Sequence, residues 1–336
     1  MDEETPSPSG IASNNFEKSW TFRDVFRAVP LSFDLQRLAV GAAGLFLSAF
    51  VFAFIYWLGL RTGEVGALRV FTAVGLILAS CVWVLFAGLL ARMTLTQLLE
   101  GHRAAGENVR RFLSERWATL IGTPIAFGLL SLFLLGLMAL IALVGSVPGL
   151  GPIVFSASFI LVFLLTFMAI LTAVVHALGA FIYPSIVALK ETGVIGVLVE
   201  MFGLVRRRGF HMIVYEAAVG AVGLVMTVII GVIVWCGLYL SNWTALALME
   251  DKFEQSLSAI PEFFRIFLRP MERWLPYVPE PMDLPWHYDL SGILLGFSLL
   301  WIVVGAAVYP FVFFNTAGSI TYLILRSDAE ADEPGR

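Results

Sequence analysis

The sequence predicts an all-α integral membrane protein: about six transmembrane helices in three tandem units, each an interfacial amphipathic helix plus a transmembrane hairpin, with both termini cytoplasmic. Three observations predict it. Hydrophobic residues fill 59% of 336 positions and mean hydropathy is +0.88, whereas soluble domains average roughly 45–50% apolar. The 21 Lys and Arg collect between and at the ends of the apolar runs. Amphipathic stripes precede every second run.

Residues 1–18 open with MDEETPSPSG, an acidic, Pro/Ser-rich tail read as disordered. A cationic start followed by an apolar core and a cleavage site is missing there, so the first span is expected to direct its own insertion. Before that span Phe22, Val25, Phe26 and Val29 fall at helical spacing, Thr21 and Asp24 resemble a capping pair, and Pro30 is expected to end the segment. A hydrocarbon core of about 30 Å takes about 20 helical residues. Lipid leaves only a helix or a closed barrel able to satisfy its own backbone. Six runs qualify: Leu38 to Leu60, Leu68 to Ala91, Leu120 to Val144, Ile153 to Leu189, Ile213 to Leu240 and Leu290 to Leu325. The alternating ten-residue pattern of a barrel is absent.

Spans two, four and six exceed the needed length and are expected to continue past the bilayer or break, span four at Pro184. Before span three, Val109, Phe112, Leu113 and Trp117 oppose Arg110 and Arg111. Before span five, Val194, Val197, Leu198, Met201 and Val205 form a stripe closed by Arg206, Arg207, Arg208 and Gly209. Basic amphipathic segments of this kind lie in the membrane interface. The units are expected at 19–104, 105–192 and 193–327, followed by an acidic tail at 328–336. A long loop, 241–289, interrupts the third unit. There Phe253, Leu257, Ile260, Phe264, Phe267, Met271 and Trp274 make a helical stripe kinked at Pro261. Pro276, Pro279, Pro281 and Pro285 then extend the chain, with Tyr277, Trp286 and Tyr288 at headgroup depth.

Charge sets the orientation. Fifteen of the 21 basic residues fall in the N-terminal segment, the second and fourth connections and the C-terminus. The other six include four in the long loop, diluted by eight carboxylates. The positive-inside rule therefore places both termini in the cytoplasm.

A net charge of −4 without a basic face excludes nucleic acid as a partner. Cys81 and Cys236 lie inside apolar runs and read as small hydrophobes. Neither HExxH nor GxSxG nor a phosphate-binding Gly-rich loop is present, so no cofactor or metal is expected and the chain reads as non-enzymatic. A membrane enzyme built from scattered residues is the remote alternative.

Intramembrane ionisable groups mark function by default. His176 in span four and Glu216 in span five qualify, with Tyr183, Tyr215, Asn315 and Thr316 expected near them. His176 is either a proton or cation relay or an imidazole bonded to a neighbouring helix. Glu216 is either part of an ion pathway or a carboxylate reaching the interface or pairing with Arg207 or His211. Ala173 and Ala177, Ala217 and Ala221, and Gly292 and Gly296 recur at four-residue spacing, the ordinary signature of close helix packing. Arg110, Arg111, Arg206, Arg207 and Arg208 are candidate lipid-facing basic residues.

At Tyr183 to Phe210, YPSIVALKETGVIGVLVEMFGLVRRRGF, the chain resembles a group of bacterial multi-pass proteins. These include the membrane domain found with some glycerophosphodiester phosphodiesterases and YciC-like inner-membrane proteins. Pro184, Glu191, Gly193 and Leu204 to Arg208 carry the resemblance. It implies a helical module of the bacterial inner membrane; the phosphodiesterase activity is not expected, because no catalytic domain follows Arg326. The leading expectation is a non-enzymatic protein that organises lipid, anionic lipid included, or protein partners, a second copy among them, or serves as a subunit of a larger assembly. A small-solute or proton-coupled transporter using His176 and Glu216 is the alternative.

Overall fold

The computed structural model describes residues 20–104, 106–148, 150–190, 192–249, 251–261, 264 and 285–331. Every regular element among them is helical. A 3-10 turn, Phe22–Arg27, leads into α1, Ala28–Ser32. There follow α2 (Leu35–Arg61), α3 (Val65–Glu100), α4 (Gly106–Gly145), α5 (Gly151–Ala157), α6 (Phe159–Gly179), α7 (Tyr183–Leu189), α8 (Val194–Met249), α9 (Asp251–Ser258) and α10 (Trp286–Ala331). Six of these, α2, α3, α4, α6, α8 and α10, are long and apolar enough to cross a membrane. The protein is a polytopic α-helical membrane protein.

Lipid as the surrounding solvent is written on the helix surfaces. Within the most apolar window of each span only 11–33% is covered by protein. Leu132 and Phe133 on α4 and Ile160 on α6 are 65%, 62% and 71% exposed. A water-soluble monomer rarely shows contiguous apolar patches beyond a few hundred Å². The hydroxyls in the spans follow the same logic, closing on their own helix: Thr72 donates to the Leu68 carbonyl, Thr123 to Thr119, Thr166 to Val162, Thr172 to Met168 and Thr227 to Gly223. Back-bonding of this kind satisfies a polar group that lipid cannot.

Local chemistry sets the breaks. The Thr21–Asp24 pair forms as expected: the Asp24 carboxylate accepts from the Thr21 N–H at 2.9 Å and its hydroxyl at 3.1 Å. Pro30 does not end the segment. It is the third residue of α1, which runs two residues further and closes at Ser32. Asp34 then caps α2 by accepting from the Gln36 N–H. Gly63 (φ +70°) and Gly101 (φ +74°) close α2 and α3 in the left-handed conformation that stops a helix without a Cβ clash. α6 ends at Gly179, and α7 begins at Tyr183 after a three-residue turn with Pro184 in its first turn, so span four breaks beside that proline as its sequence indicates.

The segments before spans three and five differ from one another. Residues 106–119 run without interruption into span three as one 40-residue helix. Such a helix is about 60 Å long, about twice the hydrocarbon thickness, so this segment prolongs the span instead of forming a separate helix. In α8 the backbone leaves helical geometry at Arg208 (φ −133°, ψ 24°), between the amphipathic stripe and span five.

Contacts divide the chain into two compact units. The described part of the first comprises 20–29, 87–219 and 315–331. Here α4 and α6 pair side by side, and Leu90, Leu95, Leu120, Ile182, Ile186, Met201, Met212 and Ile320 form a fully buried core. Two contacts lock α7 and the turn before it onto the end of α10. Ser185 and Ser319 share a hydroxyl hydrogen bond at 2.9 Å, and a side chain at Gly318 would strike the Phe181 carbonyl.

The second unit comprises 30–86 and 220–314. Within it α2 approaches α3 through Gly44 against Phe86 and Gly59 against Phe71. Fully buried Arg37 donates from Nη1 to the Leu31 carbonyl at 2.8 Å, closing the end of α1. The long loop docks on α10: Leu257, Ile260 and Phe264 are buried, Gly292 lies under the Ala259 carbonyl, and Gly296 lies under the Phe264 ring. Its expected continuation through Phe267, Met271, Trp274 and the prolines before Pro285 lies outside the described residues.

Candidate functional site

The amphipathic first half of α8 builds the most chemically distinctive feature of the first unit. Val197 and Met201 are fully buried and Leu204 nearly so, whereas Ile195 and Val199 are 76% and 67% exposed. The inward face anchors the helix, and the opposite edge forms the wall of an open cleft of about 760 Å³. Leu130 of α4, Lys190 after α7, residues of α8 from Ile195 to Arg207, and Arg326 of α10 line it. Among the described residues four cations, Lys190, Arg206, Arg207 and Arg326, and the carboxylate Glu200 line it together with Leu130, Ile195, Leu198, Val199 and Phe202. Lys190 is already committed: its ammonium pairs with Glu200 at 2.7 Å, tying the end of α7 to α8.

The candidate basic residues divide by role. Arg206 and Arg207 line the cleft. Arg208, at the kink, instead donates Nη2 to the Asp328 carbonyl at 3.0 Å and fastens α8 to α10. Arg111 is exposed and pairs with Glu115 one turn along α4 at 2.9 Å; Arg110 beside it is exposed. Arg92, which the sequence offers only as a loop cation, donates to the Ala188 carbonyl at 2.9 Å, with its guanidinium 6.0 Å from the centre of the Phe112 ring. A carbonyl in the last turn of α7 would otherwise lack a partner, and a guanidinium is favoured there by the helix dipole.

The four intramembrane candidates are spread over α6, α7, α8 and α10. Tyr183 and Asn315 are buried at the α7–α10 junction, where the Ser319 hydroxyl also donates to the Asn315 carbonyl. His176 is half-buried on α6, its ring 5.1 Å from that of Phe127, with a buried Nδ1 that has no hydrogen-bond partner among the described residues. Glu216 is half-buried on α8. No hydrogen bond or ion pair links His176 to Glu216 among the described residues. Tyr215 is buried, with its ring stacked on Phe22 at 5.7 Å. Glu191 of the resemblance motif lies outside the described residues.

Sequence reasoning did not assemble Lys190, Glu200 and Arg326 into a site. The one available signal was the ten-residue separation of Lys190 and Glu200 across a Thr-Gly break, which lets a chain fold back and pair opposite charges. Comparison with protein-family models, with curated proteins and with solved structures finds no match to this chain.

Proposed function

We propose that the protein is a non-enzymatic membrane module that organises anionic lipid at the cytoplasmic leaflet of a bacterial inner membrane, alone or as a subunit of a larger assembly. The observation that carries this reading is the gathering of Lys190, Arg206, Arg207 and Arg326 at the rim of a cleft whose walls are aliphatic and aromatic. Basic residues near a membrane surface attract anionic lipid at about 1 kcal/mol each. The positive-inside bias places these residues, and both termini, on the cytoplasmic side. The resemblance at Tyr183 to Phe210 to inner-membrane modules points the same way. Polymer extraction of the protein into native nanodiscs tests it. The co-extracted lipid is expected to be enriched in anionic species relative to the bulk membrane, and a bulk composition would overturn the reading.

One observation favours a second function, a proton-coupled transporter. A buried imidazole nitrogen without a partner, as at His176 Nδ1, is costly unless something visits it. Proton flux into proteoliposomes is then expected to fall when His176 and Glu216 are both replaced by Ala. Flux unaffected by the pair would remove this reading.

A further inference from the structure

We propose that the groove between α8, α9 and α10 in the second unit holds one acyl chain of a membrane glycerophospholipid, whose ester carbonyl accepts a hydrogen bond from the Asn242 side-chain amide. The chemistry starts at Asn242. It is 7% exposed and lines the groove, and its side-chain amide has no hydrogen-bond partner among the described residues. Burying an amide without a partner is costly, and polar side chains in a membrane bundle ordinarily find one. What fills the groove then has to supply it.

Depth selects the occupant. Tyr239 and Trp243, which flank Asn242 in α8, are 54% and 63% exposed, and exposed Trp286 opens α10. Exposed Tyr and Trp gather where hydrocarbon meets headgroups, the level at which the ester carbonyls of a glycerophospholipid lie. From Asn242 the groove descends α8 to Val234, about 12 Å at 1.5 Å per residue. Val234, Leu238, Leu295 and Leu299 line that descent, and Phe253 and Leu257 of α9 complete the wall. A hydrogen bond from the Ser291 hydroxyl to that of Ser256 at 3.0 Å fixes α9 on α10, as does Gly292 lying under the Ala259 carbonyl. An amide at the rim with an apolar lane below it matches, in order, the ester and the chain of a lipid. Size disfavours a packed helix. The groove measures about 490 Å³, within the range of about 300–1,000 Å³ usual for small-ligand sites. A helix about 10 Å across would need on the order of 1,000 Å³ over the same length.

Native mass spectrometry of the full-length protein released from phosphatidylcholine nanodiscs provides the test, with a headgroup that the anionic-lipid reading does not favour, so that the two readings fail separately. One phosphatidylcholine is expected to remain bound per protein. Asn242→Leu is expected to weaken retention about fivefold, the order of one hydrogen bond. In delipidated detergent the same variant is expected to melt higher than the parent, because a buried amide without a partner has been removed. A lower melting temperature there would show that the protein itself uses the amide and would overturn the site. Gly237→Phe, in the groove where an added Cβ meets nothing within 4 Å, is expected to fill the lane and abolish retention. Gly231→Phe, equally open on α8 but outside the groove, is expected to retain the lipid. Retention that is absent in the parent, or equal in the parent and all three variants, would overturn the site. A retained free fatty acid would overturn the phospholipid assignment, and a dimer that Gly237→Phe dissociates would give the groove to a second copy of the chain instead.

Discussion

At the scale of single residues, the polar side chains of this protein mostly hold helices together. Arg92 illustrates the point: its hydrogen bond to Ala188 and its position over the Phe112 ring link three helices. A hydrogen bond to a charged donor contributes about 1.5–3 kcal/mol, so Arg92→Met is expected to destabilise the purified protein by that order in a thermal melt. Gly318 is tighter still, because an added Cβ would meet the backbone carbonyl of Phe181, which cannot rotate away. Gly318→Ala is expected to cost about 1–3 kcal/mol, as overpacking does. Gly305→Ala, with nothing within 4 Å of the added Cβ, is expected to be neutral or mildly stabilising. An unchanged melting temperature for Gly318→Ala would mean that α7 and α10 are less closely seated. The sequence named Tyr183 and Asn315 as polar residues of interest without showing why they coexist. The reason is a contact between hydroxyls at positions 185 and 319, too distant in the chain for any local pattern to register.

At the scale of elements, legibility followed the physics of each signal. Apolar length is a local property, so the six spans could be read directly, as could the overrun of α3 to Glu100 and the break at Pro184. Helix continuity is not local in the same way. A stripe followed by an apolar run looks alike whether the backbone bends between them or not, and only the structure separates α4, which continues, from α8, which kinks at Arg208. Pro30 marks the end of its segment only to within two residues, because α1 closes at Ser32. The Thr21–Asp24 cap makes a clean test of element stability. Asp24 accepts from the Thr21 backbone and hydroxyl and pairs with Arg27 at 3.0 Å. Asp24→Ala is expected to lose about 1 kcal/mol of local stability and to speed protease cleavage before α1; cleavage at the original rate would show the cap to be redundant.

At the scale of the whole molecule, the cleft shows what a sequence conceals. Charge counting puts Lys190 and Arg206 in the fourth connection and Arg326 at the C-terminus and treats them only as totals, yet all three line one cavity. The orientation rule uses only those totals and does not see the convergence. Lipid as solvent also predicts the behaviour of the two free cysteines. Cys81 and Cys236 lie in the spans, and Cys236 is exposed at the protein surface. Charged, membrane-impermeant maleimide is expected to leave both unlabelled in intact membranes and to react with them only after detergent denaturation. Replacing both with Ala then gives a background for mapping topology.

That map tests the central claim most directly. Single cysteines at Gly63 and Pro148, which follow spans one and three, and at His102 and Thr192, which follow spans two and four, are labelled from each side of oriented membrane vesicles. Six crossings with arginine-rich connections inside predict that the first two react only from the outer face and the last two only from the cytoplasmic face. Labelling of Pro148 and His102 from the same face would contradict the account.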